Sequence, residues 1–225
     1  MQIAIDGPAG AGKSSVAKEV ARRMNLNCLD TGAMYRAVTL KALKEGIDVH
    51  DGKRMGKLAK DCKLSVEYNE NEGTLIFLDG EDVTGEIRSS RVNQHVSIVA
   101  SSPELRKELV YLQRRVADES GGIVMEGRDI GTDVLTGADF KFFLYASIEE
   151  RAKRRWLEMK SKGTDVDFNE LLEEIATRDR LDEERKASPL KVAAGAKVID
   201  TTNYSLEEAI SAVLDFIKQN SEEGQ

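Results

Sequence analysis

The chain is predicted to fold as an α/β protein: a five-stranded parallel sheet inside a three-layer arrangement, with a small antiparallel β insert and a helical lid. Three observations carry this prediction. Short apolar runs at 3–5, 27–29, 123–125, 140–145 and 197–199 alternate with helical patterns, and each is apolar enough for a sheet covered on both faces. A glycine-rich phosphate-binding signature follows the first run, where a buried strand would pass its chain to a helix. Between the second and third runs the texture changes to period-two alternation at 63–68 and 74–78, around turn-like residues 69–73.

Taken in order, the first strand leads into GPAGAGKS at 7–14 and then a helix over 16–24. Glycine lets successive backbone N–H groups turn inward on an anion. The residues predicted to hold the phosphates of a nucleoside triphosphate are Gly7, Pro8, Ala9, Gly10, Ala11, Gly12, Lys13, Ser14 and Ser15. Lys13 would reach the outer phosphates and the Ser14 hydroxyl would face Mg²⁺. After the second strand, a helix runs from about 33 to 45 and stops at Gly46. The preceding DTGAMYR makes Thr31 a candidate cap and puts Arg36 on the first turns, at a strand's carboxyl end where ligands of open sheets bind.

The insert is followed by helices over 91–100 and 103–117, the second with Ser102 as N-cap, Pro103 at its first position and Glu104 in its first turn. The third strand ends in EGRD at 126–129. There the fork of Arg128 and the carboxylate of Asp129 offer donors and an acceptor side by side, which suits the mixed edge of cytosine. Glu126 puts a carboxylate at the same strand end, where it is expected to approach a metal or its waters as acidic strand ends do in proteins that resemble this one around the phosphate loop.

Residues 148–185 are dense in charge, and Gly163 and 165–167 split them into two helical segments expected to form a mobile surface flap. Arg151, Arg154 and Arg155 fall at i, i+3 and i+4, so their guanidinium groups share a face. They would either pair with Glu149, Glu150 and Glu158 or close over a transferring phosphoryl group. Arg178, Asp182 and Arg185 repeat the idea at i, i+4 and i+7, suiting a phosphate and a sugar hydroxyl, although intrahelical pairing explains the same spacing. The polar tail 221–225 is expected to fray.

Composition excludes several classes. Lys and Arg total 33 against 40 Asp and Glu, net −7, so the average surface repels nucleic acid and anionic membranes. Two cysteines without a CxxC pair and two distant histidines argue against structural zinc. No leader and no run of ~20 apolar residues is expected, which points to the cytoplasm and reduced thiols. Cys28, Tyr35 and Trp156 read as packing residues. No heptad or apolar stripe demands a partner, so a monomer is expected.

With these sites in hand, the chain resembles the bacterial cytidylate kinases over nearly its whole length. The marks are IDGPAGAGKS at 5–14, LDTGAMYR at 29–36, GEDVTGEIR at 80–88, EGRDIGT at 126–132 and ERAKRR at 150–155. The resemblance implies the phosphate-loop NTPase fold of the nucleoside monophosphate kinases, with ATP and Mg²⁺ on the donor side and CMP or dCMP as acceptor. It implies that Arg36, Arg106 and Arg178 hold the acceptor's phosphate or its surroundings. Thr31, Ser97, Arg128 and Asp129 would read the cytosine, and Asp182 with Arg185 would contact the sugar. It divides the chain into a core (1–30, 99–147, 187–225), a monophosphate-binding insert (31–98) and a lid (148–186). Thr31 and Glu126 stand where relatives often carry serine and aspartate. A kinase for UMP or AMP on the same core, or a nucleotide-switched binding module, is the alternative; the chain has no NKxD guanine-reading motif.

Overall fold

The computed structural model describes residues 1–69, 73–161 and 163–222. Five strands, β1 (Gln2–Asp6), β2 (Asn27–Asp30), β6 (Ile123–Gly127), β7 (Phe140–Tyr145) and β8 (Lys197–Asp200), form one sheet in the order β2-β6-β1-β7-β8, and every pairing is parallel. Each of the five apolar runs is thus a strand of this sheet.

Alternation along these strands builds two cores. Ala4, Leu29, Ile123 and Met125 pack with Met34 and Val38 of α2 (Thr31–Lys44) and Leu105 and Leu109 of α5 (Pro103–Glu119). Ile3, Ile5, Val124, Phe142, Leu144 and Ile199 face the other way, against Val16 and Val20 of α1 (Lys13–Met24) and Ile210, Val213 and Ile217 of α8 (Leu206–Glu222). Helices on both faces leave the strands' carboxyl edge as the open side of the layer, where a ligand can lie.

The insert forms a second sheet, β3 (Leu64–Asn69), β4 (Gly73–Leu78) and the two-residue β5 (Glu81–Asp82), antiparallel throughout. Leu64, Ile76 and Leu78 anchor it to the α2/α5 core. The turn expected at 69–73 includes residues 70–72, which lie outside the described residues, as do 223–225 of the tail. The sequence did not suggest α3 (Gly52–Asp61), because its two glycines mask a helical pattern. They have a packing reason: a Cβ on Gly56 would stand 2.7 Å from Glu104 Cβ and 3.2 Å from its carbonyl carbon, so α3 lies closely on α5. A short 3₁₀ turn (Glu86–Arg88) then leads to α4 (Ser90–Ala100). Ser102 caps α5 as expected, its hydroxyl accepting from Leu105 N at 3.3 Å.

Two helices, α6 (Ile148–Ser161) and α7 (Phe168–Glu184), make the charged hairpin. Its own core consists of Ala152, Leu171 and Ile175, with Ile148, Trp156, Met159, Phe168 and Leu172 around them. Asp167 caps α7 by accepting from Asn169 N and Glu170 N.

Candidate functional site

The donor side is built from consecutive backbone. Gly7, Gly10 and Gly12 all have positive φ (148°, 78° and 87°), a region that side chains rarely tolerate. At Gly7 a Cβ would lie only 2.0 Å from the Leu144 carbonyl oxygen, so the loop can leave β1 beside β7 only as glycine. The loop delivers the chain to α1, whose N-cap, Gly12, offers no side-chain acceptor, leaving first-turn amides for an anion. Pro8 and Ala11 are buried, while Ser14 and Ser15 reach the surface.

Lys13 is buried and its Nζ donates to Pro8 O at 2.8 Å. Burial, reinforced by the guanidinium groups of Arg128 and Arg178, pulls its pKa down to about 7, with Glu126 and Asp6 opposing. An incoming polyphosphate would reverse that shift by favouring the ammonium form. Ser14 donates a short hydrogen bond to Glu126 Oε1. Glu126 is itself buried, and desolvation followed by the charge of Asp30 raises its pKa.

Across the strand ends, four cations converge. Arg178 has its pKa lowered to about 10 by burial, then by Arg128 and Arg36. Arg36 is likewise lowered by burial, with Arg88 and Arg128 contributing. Arg128 and Arg178 also depress the pKa of Lys13, so these groups repel one another, and the cluster suits an anion among them. Only part of each fork is engaged: Arg36 Nε donates to Asn93 Oδ1 at 3.3 Å, Arg128 Nε to Asp182 Oδ2 at 2.7 Å, and Arg178 Nε is buried without a partner among the described residues.

A second, deeper cluster holds Asp129. Arg106 Nη2 pairs with its Oδ2, and Arg185 Nη2 approaches its Oδ1 at 3.4 Å, with all three side chains buried. Arg106 also lies 5.3 Å above the ring of Tyr35, and burial pushes the Tyr35 hydroxyl up to about 12. Arg128 and Asp129, expected to offer donors and an acceptor side by side, instead engage different partners. Their Cα atoms are adjacent, but at the end of the strand their side chains part, Arg128 to α7 and Asp129 to α5. Arg106 joins the carboxylate cluster, and Asp182 pairs with Arg128 while Arg185 turns to Asp129.

Thr31 is also placed differently from the expectation of a cap. Asp30 caps α2, accepting from Ala33 N at 3.1 Å, because its side chain stands one residue outside the helix. Thr31 is the first helical residue, and its hydroxyl donates to Glu126 O at 2.8 Å, tying β2 to the end of β6. Ser97 lies half-buried on α4.

The three hairpin arginines do not act as one face. Arg151 is buried, donating to Ala146 O at 2.9 Å and Ala9 O at 3.0 Å while its Nη1 pairs with Asp179 at 2.6 Å. It is a strut joining the phosphate loop to both hairpin helices. Arg154 stays beside the loop, with Nη2 donating to Thr201 O at 2.6 Å and Nη1 3.8 Å from the place a Gly12 Cβ would take. Arg155 pairs with Glu158 at 3.0 Å, 41% exposed. Arg154 and Arg155 are consecutive and so about 100° apart around the helix, with Arg151 between them, and only the Arg154 side meets the phosphate loop.

Several participants escaped the sequence reading. Asp6, Asp30, Asn93, Asp179 and Thr201 each hold one of these groups or its neighbouring backbone. Asp6, Asp30 and Thr201 sit at or just past strand ends, which is the one signal that could have found them; Asn93 and Asp179 are helical residues with no local mark.

For a metal, the oxygen donors of Ser14 and Glu126 beside the phosphate loop suit a hard cation. Among the described residues no group of three or more His, Cys, Asp or Glu is arranged to hold one. Phosphate oxygens and water would have to complete the shell, as Mg²⁺ accepts.

A family model described as cytidylate kinase matches residues 3–219. Curated relatives of that name include proteins of Shouchella clausii, 51% identical over 97% of this chain and 96% of the relative, and Bacillus subtilis, 47% identical over 98% of each. Among solved structures, an uncharacterized protein from Eubacterium ventriosum covers 97% of this chain and 98% of its own, at TM-score 0.52 and 14% identity. A gluconokinase from Sinorhizobium meliloti covers 99% and 94%, at TM-score 0.50 and 15% identity. These two share the fold.

Proposed function

The chain belongs to the cytidylate kinase family, and from that premise we propose that it transfers the γ-phosphoryl group of ATP to CMP or dCMP, giving ADP and CDP or dCDP. The observation that carries the reading is the convergence of Lys13, Arg36, Arg128 and Arg178, which share one field beside the glycine loop. A donor polyphosphate on the loop and an acceptor monophosphate among the arginines would meet end to end over one sheet edge.

A phosphate oxygen of the acceptor attacks the γ-phosphorus, the bond from that phosphorus to the β,γ-bridging oxygen breaks, and ADP leaves. No general base is needed, because the attacking oxygen carries little proton at neutral pH. Positioning and charge compensation supply the catalysis. Lys13 and the loop amides hold the donor's outer phosphates. Arg154 stands beside the loop to compensate charge on the passing group, and Arg151 keeps the hairpin against Ala9. Arg36, Arg128 and Arg178 hold the acceptor phosphate, while Asp182 and Arg185 lie toward the sugar. Asp129, held by Arg106, reads the cytosine edge together with Thr31 and Ser97. Mg²⁺, placed by Ser14 and Glu126, would neutralise charge on the donor phosphates.

The same reading takes 31–98 as the acceptor-binding insert and 148–186 as the lid of a monomer working in the cytoplasm. Among the described residues no helix is long and apolar enough to cross a membrane. A coupled ADP-release assay with CMP, dCMP, UMP and AMP, with and without Mg²⁺, tests the proposal. Highest kcat/KM on CMP and dCMP is expected. Preference for UMP or AMP would change the acceptor, and nucleotide binding without turnover of any monophosphate would leave a binding module instead.

A further inference from the structure

Asp6 is the last residue of β1, and its side chain is buried at 2% exposure in the middle of the sheet edge. It pairs in register with Gly127, yet its carboxylate reaches past that neighbour. Oδ1 accepts from Ile130 N at 2.7 Å and Oδ2 from Gly131 N at 2.8 Å. Those amides open the π turn Ile130–Val134, whose first N–H groups have no partner within the turn. One carboxylate therefore takes both.

The segment in between is the one that matters for the acceptor. Gly127, Arg128 and Asp129 leave the β1–β6 ladder and enter the π turn, so the ladder fixes one end and Asp6 the other. Asp129 has φ −146° and ψ 25°, away from both helix and strand, and its side chain and that of Arg128 leave in different directions from adjacent residues. Such a backbone needs an anchor at each end. Space at the anchor is tight: a Cβ on Gly131 would lie 3.0 Å from Ala193 Cβ and 3.4 Å from Asp6 Oδ2. A neutral amide in place of the carboxylate could accept only one of the two N–H groups and would turn its own N–H₂ on the other.

We propose that Asp6 is a positioning residue for the phosphate acceptor: its carboxylate holds the amides of Ile130 and Gly131 and thereby sets Arg128 and Asp129 toward the bound monophosphate. It deepens, and rests on, the reading of the site as a CMP kinase. Asp6 would act on the acceptor through this segment; on the donor side it contributes only its charge on Lys13, a weaker effect there than burial, Arg128, Glu126 or Arg178, and the loop keeps its own glycine conformation.

The test is steady-state kinetics of the full chain and Asp6→Asn, varying CMP at saturating ATP and ATP at saturating CMP, with UMP as a second acceptor. KM for CMP is expected to rise about 10-fold or more, with KM for ATP changed less than about 3-fold and a smaller CMP-over-UMP ratio. Gly131→Ala, whose Cβ would press on Ala193 Cβ at 3.0 Å and Lys141 Cδ at 3.3 Å and so displace the amide that Asp6 holds without removing the Asp6 charge, should reproduce that pattern more weakly, and it carries the test if Asp6→Asn does not fold. Unchanged KM for CMP in the folded variants, or equal increases for both substrates, overturns the assignment. Failure of the unmutated chain to phosphorylate any monophosphate overturns the kinase reading itself, and this proposal with it.

Discussion

The donor and acceptor halves of this site are made in opposite ways. The donor half is a run of nine residues, 7–15, in which glycine φ angles and helix-end amides do the work, with one lysine added. The acceptor half draws single side chains from α2, α4, α5, the end of β6 and α7, and its geometry rests on ion pairs such as Arg128–Asp182 and Arg106–Asp129. A contiguous backbone cradle keeps its shape as long as the strand and helix around it pack. A gathered set of side chains depends on every element that brings one of them, so its failures should be graded and specific to one substrate.

The largest effect should therefore come from the donor side. Lys13→Ala is expected to lower kcat about 10³-fold with an unchanged circular dichroism spectrum and melting cooperativity. Near-normal turnover would remove Lys13 from the chemistry. Next, Arg178→Ala should raise KM for CMP about 10- to 100-fold and leave KM for ATP within about 3-fold. Equal loss for both substrates would mean that the two halves are one cooperative unit and the contrast between them is false.

The smallest effect sharpens the electrostatics. Because burial and two guanidinium groups hold Lys13 at about 7 before ATP arrives, most of it is neutral at pH 8 and charged at pH 6. Phosphate binding restores the charge, so ATP binding should be accompanied by proton uptake on Lys13 at pH 8, approaching one per site, and by much less at pH 6. Calorimetry in buffers of different ionisation enthalpy reads this, with Lys13→Met as the control that loses the uptake. No uptake at pH 8 would mean that Lys13 is already charged in the free protein.

The hairpin shows why pattern alone stops short. Its three arginines at i, i+3 and i+4 looked equivalent, but Arg151 is a buried strut to Ala9 and Asp179, Arg154 flanks the loop, and Arg155 pairs with Glu158 on the outside. Helical spacing says which residues share a side of a helix. It does not say where that side meets its neighbour, and a few tens of degrees of rotation separate a strut from a surface pair. Likewise Arg128 and Asp129 are consecutive, and consecutive residues at a strand end point apart.

Everything carried by local periodicity and local backbone need was legible in the amino-acid order. The five strands, the helix that follows the phosphate loop, the Ser102 cap and the glycine positions follow from alternation, capping chemistry and φ > 0. Tertiary structure decided which charges meet. Asp6 and Ile130 are 124 residues apart, Arg106 and Asp129 lie on different elements, and α3 exists because two glycines fit against Glu104. The reason is range: a turn or a cap is settled within a few residues, whereas a buried ion pair is settled only when two distant elements have already packed and excluded water.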